Sequence, residues 1–495
     1  MVRLDTPAGR WVLAATVLGS AVAMLTATVV NVALPALGSA LDAGTEGLQW
    51  IINGYLLSLA SLILIGGSLG DRYGHRRMFV MGTAWFALAS VLCALAPDVR
   101  WLVAFRVLQG MGAALLMPES LAIIEAVFHP DDRSRAIGAW SALGGVAAAV
   151  GPVLGGWLVD AAGWRSLFLL VLPLAAAVIV VGITRIPATR TREDEPLDVA
   201  GATTAFLALG LLTFTLVRGP GEGFGHPVVV GSAAAGIASL LAFLAIEARV
   251  RHPMVPLGMF GDRMFAAGNA VTFVVYAALG GSFFLLVVFL QVGLDYSALA
   301  AGASLLPITA LMLLLSARAG KYAHDHGPRV PLTVGPLLVA VGLALMATID
   351  AGDGYWTAVF PAVAVFGLGL AATVAPVTST VLGAAPEGRE GTASGINNAV
   401  SRTAQLAAVA VMPAIAGLAG GGMGDREAML AGFPRAALAM AGLAALGAVL
   451  GWTLIGSQPA RAARGLEAPA GEACLHCAVD ATQLAVTAEA TGHAA

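Results

Sequence analysis

Three charged side chains stand inside long apolar stretches of this 495-residue chain. Arg106 and Glu119 lie in the run from 101 to 125, and Arg402 lies in the run from 395 to 419. Because a charge in apolar surroundings is costly unless it faces a cavity or a partner, each of the three is a candidate functional residue. Burial favours the neutral form of a carboxyl group, so Glu119 is a candidate for exchanging a proton near neutral pH.

Each candidate also has a simpler interpretation. Arg106 could snorkel outward to the lipid headgroups, and Glu119, which follows Pro118, could reach interfacial water. Gln109 lies one turn beyond Arg106 on the same helix face, which favours a shared polar site. Arg402 has amide side chains nearby, so it could line a gate or take part in helix–helix hydrogen bonding. Arg106 and Glu119 are about 20 Å apart along a helix and cannot pair directly.

The composition of the chain identifies the solvent around these residues. Apolar residues make up 58% and charged residues 11% of the sequence, less than half of the charged share of an average soluble domain. That scarcity excludes an ordinary soluble enzyme, a secreted disulfide scaffold and disorder over most of the length. The net charge of −3 offers no basic surface for nucleic acid. The chain is therefore expected in a lipid bilayer.

Fourteen apolar runs are long enough to cross about 30 Å of hydrocarbon as helices. The runs are continuous rather than alternating, which excludes membrane strands. We therefore expect an all-α polytopic membrane protein, with spans near 11–36, 48–69, 79–97, 101–125, 136–159, 166–184, 199–217, 227–247, 266–290, 299–317, 331–349, 356–381, 395–419 and 436–456.

Lys and Arg are distributed unevenly between alternate loops. If the N-terminus is cytoplasmic, nineteen of them fall in cytoplasmic segments and five in external loops. Positively charged loops remain on the cytoplasmic side of a membrane. The distribution therefore predicts a multi-pass protein of the plasma or inner membrane, with both termini in the cytoplasm.

Weak internal similarity divides the chain into two related parts. The Gly, Gly and Arg positions of the segment 67–77 recur in 320–329 at an offset of 253 residues, and a second echo opens the fifth and thirteenth runs. Many transporters are built from related halves. The predicted organisation is an N-terminal six-helix bundle, a linker with two inserted helices, a C-terminal six-helix bundle and a disordered cytoplasmic tail, at 1–185, 186–265, 266–456 and 457–495 respectively.

The segment 67–77, Gly-Ser-Leu-Gly-Asp-Arg-Tyr-Gly-His-Arg-Arg, combines small residues with charges at a membrane boundary. Its glycines permit a tight turn and the close approach of two helices, and its charges can pair with helix ends or with one another. Such a segment could form a latch that breaks when the protein changes state, through Gly67, Asp71, Arg72, Gly74 and Arg76. Positive-inside anchoring is the simpler alternative, but it explains neither the aspartate nor the glycine spacing.

Taken together, the motifs resemble those of the major facilitator superfamily, and in particular its fourteen-helix drug:proton antiporter branch. The segment 67–77 is similar to the signature between helices two and three, and 102–114 is similar to the fourth-helix motif. Gly151-Pro152-Val-Leu-Gly155-Gly156 resembles the fifth-helix antiporter motif. Further similarities are Asn31-Val-Ala-Leu-Pro35, Trp164-Arg165, Leu305-Leu306-Pro307 and the segment from Gly391 to Arg402.

The resemblance implies a secondary active exporter of small amphipathic compounds or drugs, working by alternating access in exchange for protons. It also implies a tight helix seam that limits leak, formed by Gly151, Pro152, Gly155 and Gly156; ordinary small-residue packing is the alternative. The residues expected along the substrate and proton pathway are Thr26, Asn31, Arg106, Gln109, Glu119 and Arg402. The expected partners are a small-molecule substrate, protons and the bilayer around a monomer, with no cofactor, metal or catalytic residue.

Two positions depart from the family pattern. Thr26 stands where this branch usually has an acidic residue in the first helix, and Val171 stands where it usually has asparagine. Threonine holds no titrating charge, so either Glu119 or another group carries the proton or the coupling differs. A facilitator or exporter of an endogenous metabolite, not coupled through a first-helix carboxylate, is therefore an alternative. A polytopic membrane enzyme fits less well, because the sequence has no HExxH motif, and no GxxxxGK[ST] motif indicates ATP coupling.

Two cysteines near the C-terminus, Cys474 and Cys477, have the spacing of half a zinc site. Because no second pair accompanies them, two reduced thiols in the cytoplasm are the expected interpretation. Cys93 lies inside the third apolar run and is expected to pack between helices.

Overall fold

The computed structural model of the chain describes residues 2–188, 197–386, 389–420 and 422–457. The predicted tail beyond 457, with Cys474 and Cys477, and residues 189–196 of the predicted linker lie outside that part. Within the described residues the α-helices are α1 (Pro7–Val32), α2 (Leu34–Leu41), α3 (Thr45–Tyr73), α4 (His75–Leu95), α5 (Val99–Val127), α6 (Pro130–Ala162), α7 (Arg165–Leu169), α8 (Val171–Arg185), α9 (Val199–Glu222), α10 (Pro227–Glu247), α11 (Arg263–Val288), α12 (Ala298–Ser304), α13 (Leu306–His326), α14 (Pro331–Met346), α15 (Phe360–Gly383), α16 (Glu390–Ile415) and α17 (Arg426–Leu454).

Aspartate side chains determine where several of these helices begin. Asp98 Oδ1 accepts hydrogen bonds from the N–H groups of Arg100 and Trp101, at 2.9 and 3.1 Å. Asp262 accepts one from the N–H group of Phe265 at 2.8 Å. These caps satisfy N–H groups that have no partner within the helix. They therefore help to define the starts of α5 and α11.

Each of the fourteen apolar runs overlaps a helix of the described chain, and eleven helical segments there are long and apolar enough to cross a membrane. The runs outside those eleven belong to α6, α14 and α16. Helix α14 has only 16 residues, and α6 contains Pro152 within a single helix from Pro130 to Ala162. The predicted all-helical membrane fold is confirmed, whereas the count of fourteen spans stays a prediction.

Helices pack in the same pairs in the first and second parts of the chain. α3 and α4 lie against α5, as α13 and α14 lie against α15. α1 packs on α6 and α8, as α11 packs on α16 and α17. Two related halves would produce this recurrence. We refer to α1–α8 as the N-terminal group and to α11–α17 as the C-terminal group.

Helices α9 and α10 pack on each other beside the two groups. α9 also contacts α3 and α16, and its Arg218 pairs with Glu46 of α3 at 3.2 Å. Only 28% of the apolar window of α9 and 17% of that of α10 is buried. Helices that are apolar on every side and yet unburied by protein need lipid around them.

Hydrogen bonds join the two groups at one end of the bundle, which we call the Thr45 end. Thr45 Oγ1 donates to the carbonyl oxygen of Leu418 at 2.9 Å. Gln49 Nε2 donates to the carbonyl oxygens of Val409 and Ala410, at 2.9 and 2.8 Å. All five residues are buried, so water competes little for these bonds.

A cavity of about 890 Å³ lies at the opposite end, which we call the Arg72 end. Leu64, Ser68 and Asp71 of α3 form one side of it, and Thr392 of α16 lies on another. The segment that follows α10 lines a further side of the cavity. Hydrogen bonds between the two groups are thus found at the Thr45 end, and the cavity is found at the Arg72 end.

Candidate functional site

Arg106 lies buried within the N-terminal group, with only 1% of its surface exposed. Its Nε atom donates to the carbonyl oxygen of Ile51 at 3.0 Å, and its Nη1 atom donates to Gln109 Oε1. The guanidinium lies 4.4 Å from the centre of the Tyr55 ring. Gln109 Nε2 in turn donates to Ser90 Oγ at 2.7 Å. Arg106 therefore does not snorkel outward but is held by neutral partners on α3 and α5.

Glycines of α5 bring the neighbouring helices close enough to make these bonds. A Cβ atom on Gly110 would lie 3.2 Å from the carbonyl carbon of Tyr55 in α3. One on Gly112 would lie 2.8 Å from the backbone nitrogen of Phe86 in α4. Small residues at such crossings let membrane helices approach backbone to backbone. The Arg106 site depends on this close packing.

Glu119 is completely buried and contacts a histidine from the neighbouring helix. Its Oε2 atom lies 2.8 Å from His75 Nδ1, and the other ring nitrogen of His75 lies 3.7 Å from Asp71 Oδ1. Glu119 Oε1 has no hydrogen-bond partner among the described residues. Glu119 therefore does not reach interfacial water. A chain of three titratable groups instead leads from the cavity at the Arg72 end to a carboxyl group inside α5.

The three glycines of the segment 67–77 have different surroundings. Gly74 has φ of +93°, which favours glycine, and it ends α3 with its N–H bonded to the carbonyl oxygen of Gly70 at 2.8 Å. A Cβ atom on Gly70 would overlap the Glu119 carboxylate. One on Gly67 would lie 3.8 Å from Pro118, an ordinary contact. The close approach to α5 is therefore made by Gly70 rather than by Gly67.

The arginines of the same segment contact residues within the N-terminal group. Arg76 Nη2 donates to the carbonyl oxygen of Ile183 at the end of α8. The guanidinium of Arg72 lies 5.5 Å from the centre of the Tyr73 ring. An arginine on the last carbonyl groups of a helix is favourable because those carbonyl oxygens lack partners within the helix. Arg76 thus ties the start of α4 to the end of α8.

The predicted antiporter motif of α6 packs on α1 with little space. A Cβ atom on Gly151 would overlap the hydroxyl group of Thr28, and one on Gly155 would lie 2.9 Å from a methyl carbon of Val29. Two helices can approach this closely only where neither carries a bulky side chain. The first face of the motif is therefore a seam within the N-terminal group.

The same motif forms a second seam, with α12 of the C-terminal group. A Cβ atom on Gly156 would lie 2.6 Å from the carbonyl carbon of Ala298. One on Gly302 would lie 2.6 Å from the carbonyl carbon of Pro152. Backbone therefore meets backbone across the boundary between the two groups. This seam can exist only in states in which α6 and α12 are close together.

The polar residues of α1 use most of their hydrogen-bonding capacity within their own helix. Thr26 is buried, and its Oγ1 donates to the carbonyl oxygen of Val22 at 2.8 Å. Asn31 Nδ2 donates to the carbonyl oxygen of Ala27 at 3.4 Å. Asn31 Oδ1 is buried with no partner in the described part of the chain. Thr26 therefore contributes neither a charge nor a free donor to the interior.

Arg402 of α16 lies where the two groups face each other. It interacts electrostatically with the hydroxyl groups of Tyr55 in α3 and Tyr276 in α11. Its Nη1 atom makes a long hydrogen bond of 3.5 Å to Gln405 Oε1. Its Nε atom is buried without a partner among the described residues. The charges of Arg106 and Arg402 thus both act on Tyr55, and the guanidinium of Arg106 lies 4.4 Å from the centre of its ring.

The sequence profile of the Major Facilitator Superfamily matches residues 16–409. The chain belongs to this superfamily. The match runs from α1 into α16, so it includes every helix that carries a predicted pathway residue. Among the described residues, no three His, Cys, Asp or Glu side chains come together as a metal-binding group.

Two relatives of this protein carry names that describe resistance to antibiotics. It is 34% identical to the tetracenomycin C resistance and export protein of Streptomyces glaucescens over 401 residues, covering 81% of this chain and 74% of the relative. It is 32% identical to the methylenomycin A resistance protein of Bacillus subtilis over 455 residues, covering 90% and 94% of the two chains. Both alignments cover most of this chain.

A solved structure has a fold similar to that of this protein. The bacterial homologue of the human lysosomal transporter Spinster, in an inward-facing and unoccupied conformation, matches with a TM-score of 0.62. The sequences are 17% identical, and the match covers 90% of this chain and 97% of the other. At this identity the likeness concerns the fold alone.

The sequence did not identify two residues that make important contacts in the structure, His75 and Gln49. His75 appears in the sequence as one member of a basic cluster, and only the packing of α4 on α5 brings it to Glu119. Gln49 lies in an apolar run, and its side chain joins α3 to α16. A polar residue inside an apolar run was the available signal for Gln49.

Proposed function

We propose that this protein exports small amphipathic compounds across the plasma or inner membrane by alternating access, in exchange for protons. Both named relatives are resistance proteins, and one is named as an export protein. The observation that carries the proposal is the asymmetry of the bundle. Hydrogen bonds join the two groups at the Thr45 end, and a cavity lies at the Arg72 end. Alternating access requires one-sided closure of this kind around a site between two halves.

In this proposal the protein is a monomer of the fourteen-helix drug:proton antiporter branch. Two six-helix bundles, α1–α8 and α11–α17, flank the inserted helices α9 and α10. The bias of nineteen cytoplasmic against five external basic residues supports an orientation with both termini in the cytoplasm. In that orientation the Arg72 end faces the cytoplasm, and the bundle is in an inward-facing state.

The segment 67–77 acts as the latch of this cycle, and the Gly151–Gly156 motif acts as the seam. Gly70 brings the end of α3 onto Glu119, and Gly74 permits the turn into α4. Gly156 meets Ala298 across the boundary between the two groups. When the Thr45 end opens, this contact must break. The seam is therefore part of the closed side of the transporter in the inward-facing state.

Protons reach Glu119 through His75. Asp71 lines the cavity and faces one ring nitrogen of His75, while the other ring nitrogen lies 2.8 Å from the Glu119 carboxylate. Glu125 also acts electrostatically on His75. A histidine ring can accept a proton on one nitrogen and release one from the other. The arrangement thus connects the cytoplasmic cavity to a carboxyl group that is shielded from water.

Everted membrane vesicles test the export function. Uptake of two fluorescent amphipathic probes, ethidium and 8-anilinonaphthalene-1-sulfonate, is followed after an inside-acid gradient is imposed. At least one probe should accumulate, because export in the cell corresponds to uptake in everted vesicles, and accumulation should stop when an uncoupler removes the gradient. Uptake no greater than in vesicles without the protein would reject export. Uptake that persists after the gradient collapses would reject proton exchange.

Glu119→Gln tests the proton pathway. The substitution keeps the size of the side chain but removes its titrating proton, so transport by the variant should lose its dependence on pH. Glu46→Gln is the matched control, since Glu46 forms an exposed ion pair with Arg218 at the Thr45 end. It should keep the wild-type pH profile. A wild-type profile in Glu119→Gln would remove Glu119 as the proton carrier.

A facilitator or exporter of an endogenous metabolite without proton coupling is the second candidate. It is favoured by Thr26, whose hydroxyl bonds its own helix where an acidic residue would hold a charge. The two candidates differ in one measurement. An uncoupled facilitator would equilibrate its substrate across the vesicle membrane at any pH gradient, whereas an antiporter would concentrate it.

A further inference from the structure

Arg402 carries a positive charge into the bundle with little to balance it. Its one side-chain hydrogen bond, to Gln405, is 3.5 Å long, and its buried Nε atom has no partner among the described residues. No carboxylate in the described part of the chain pairs with it. A buried N–H group without an acceptor is destabilising, and an anion that supplied the acceptor would also compensate the positive charge.

Contacts between α3 and α16 locate Arg402 between the closed end and the cavity. Toward the Thr45 end, Gln49 is bonded to the carbonyl oxygen of Val409. Toward the Arg72 end, a Cβ atom on Gly395 would lie 2.7 Å from a methyl carbon of Leu64. Arg402 lies between these two contacts along α16, and it is only partly buried. It is therefore at the depth where a site shared by the two groups would be found.

A second positive charge, that of Arg106, lies beside Tyr55. Arg106 is 4.4 Å from the centre of the Tyr55 ring, and Arg402 interacts with the Tyr55 hydroxyl. The hydrogen-bond partners of Arg106, the Ile51 carbonyl and the Gln109 amide, are neutral. The interior around Tyr55 therefore carries two cations with no acidic counter-charge in the described residues.

The carboxyl group of Glu119 does not balance these charges. Glu119 is bound to His75 and stands thirteen residues beyond Arg106, about 20 Å along α5. The first helix has Thr26, which bonds to its own backbone. A lipophilic cation entering this region would meet like charges, whereas an anion would relieve the uncompensated guanidinium of Arg402.

We propose that the exported compound is an amphipathic organic anion whose carboxylate, sulfonate or phenolate group pairs with Arg402. The proposal rests on the export function proposed above and specifies the substrate class of the same site. A guanidinium binds a carboxylate through two parallel hydrogen bonds, and it also donates charge-assisted hydrogen bonds to sulfonate or phenolate oxygens. The apolar part of the compound lies toward Tyr276 of α11, which is only partly buried and whose phenol group interacts electrostatically with Arg402. Arg106 adds long-range attraction without touching the anion.

A resistance assay in a host without its own efflux pumps tests the substrate class. The anionic probes are deoxycholate, fusidate and novobiocin, and the cationic probes are ethidium, tetraphenylphosphonium and rhodamine 6G. Expression of the protein should protect against at least one anion and against none of the cations. Protection against cations would overturn the proposal while leaving export intact. Protection against none of the six probes would reject the export function itself, so the two failures are distinguishable.

Variants of Arg402 test the residue. Losing a charged hydrogen-bonding partner costs about tenfold to a hundredfold in affinity, so Arg402→Gln should raise the KM for the protected anion in everted vesicles by at least tenfold. Arg402→Lys keeps the charge and should recover part of the loss. Arg263→Gln is the matched control, since Arg263 is exposed and donates to the carbonyl oxygen of Thr453. Expression of each variant is checked by size-exclusion chromatography. An unchanged KM in Arg402→Gln would overturn the assignment.

Discussion

Gly302→Ala should open the Thr45 end of the bundle. The added Cβ atom would lie 2.6 Å from the carbonyl carbon of Pro152, whereas ordinary contacts begin at 3.4 Å. Both sides of this contact are backbone, so no side chain can turn away to make room. Helix α12 must therefore move away from α6, and the hydrogen bonds between the two groups lose part of their support.

The size of the effect follows from the cost of overpacking. An extra methyl group in a tightly packed site costs about 1–3 kcal/mol. This cost falls on the closed state alone, because the contact is absent once α6 and α12 separate. A bias of about 1–3 kcal/mol changes the ratio of two states about 5-fold to 150-fold. The general helix-stabilising effect of alanine over glycine is the same in both states and cancels.

A thiol reporter at Ala410 measures the opening. Ala410 is fully buried, and its carbonyl oxygen accepts a hydrogen bond from Gln49 in the closed state. Ala410→Cys is placed in a chain whose two tail cysteines are replaced by serine, and its reaction with a membrane-impermeant maleimide is timed in detergent. Labelling of Gly302→Ala should be faster by about 5-fold to 150-fold, because only the open state reacts.

Gly138→Ala is the control for this experiment. Gly138 lies in α6 as well, but a Cβ atom there would meet no other atom within 4 Å. Its labelling rate should stay at the value of the parent chain. If Gly302→Ala also labels at the parent rate, the seam between α6 and α12 does not hold the Thr45 end closed, and the reasoning is wrong.

Three further predictions concern the N-terminal group. Arg106→Ala should abolish transport in everted vesicles while expression is retained, and normal transport would show that the guanidinium is dispensable. Gly70→Ala should shift the pH profile of transport because the new methyl group displaces the Glu119 carboxylate, whereas Gly67→Ala, which makes only an ordinary contact, should leave the profile unchanged; equal profiles would contradict the proposed contact. Asp98→Ala should lower the stability by about 0.5–2 kcal/mol through loss of the helix cap, seen as a lower thermal midpoint in size-exclusion measurements, and an unchanged midpoint would contradict this.

The positions of the charged residues along the helices follow from the residue pattern. The apolar run from 101 to 125 predicts one helix, and the spacing of Arg106 and Gln109 predicts that they share a face. The two side chains are hydrogen-bonded, as neighbours on one face can be. Their other partners, Ile51 and Ser90, lie on different helices. Nothing in the spacing along α5 indicates which helices pack against it.

The contrast between Gly67 and Gly70 shows the same limit. Both glycines belong to one motif, and the motif alone gives no reason to separate them. The direction of α3 relative to α5 turns Gly70 toward the Glu119 carboxylate and leaves Gly67 at an ordinary distance from Pro118. Which glycine is indispensable is therefore a property of the helix crossing.

The membrane environment, the helical runs and the superfamily are encoded locally, because hydropathy and short motifs depend on residues that are neighbours in the chain. The pairs that would do the chemistry are not. His75 and Glu119 are 44 residues apart, and Pro152 meets Gly302 only where the two groups come together. Such contacts depend on how all the helices pack at once, and the same packing leaves Arg402 without a carboxylate among the described residues. The sequence therefore determined which charges enter the membrane, and the tertiary structure decided which of them are balanced.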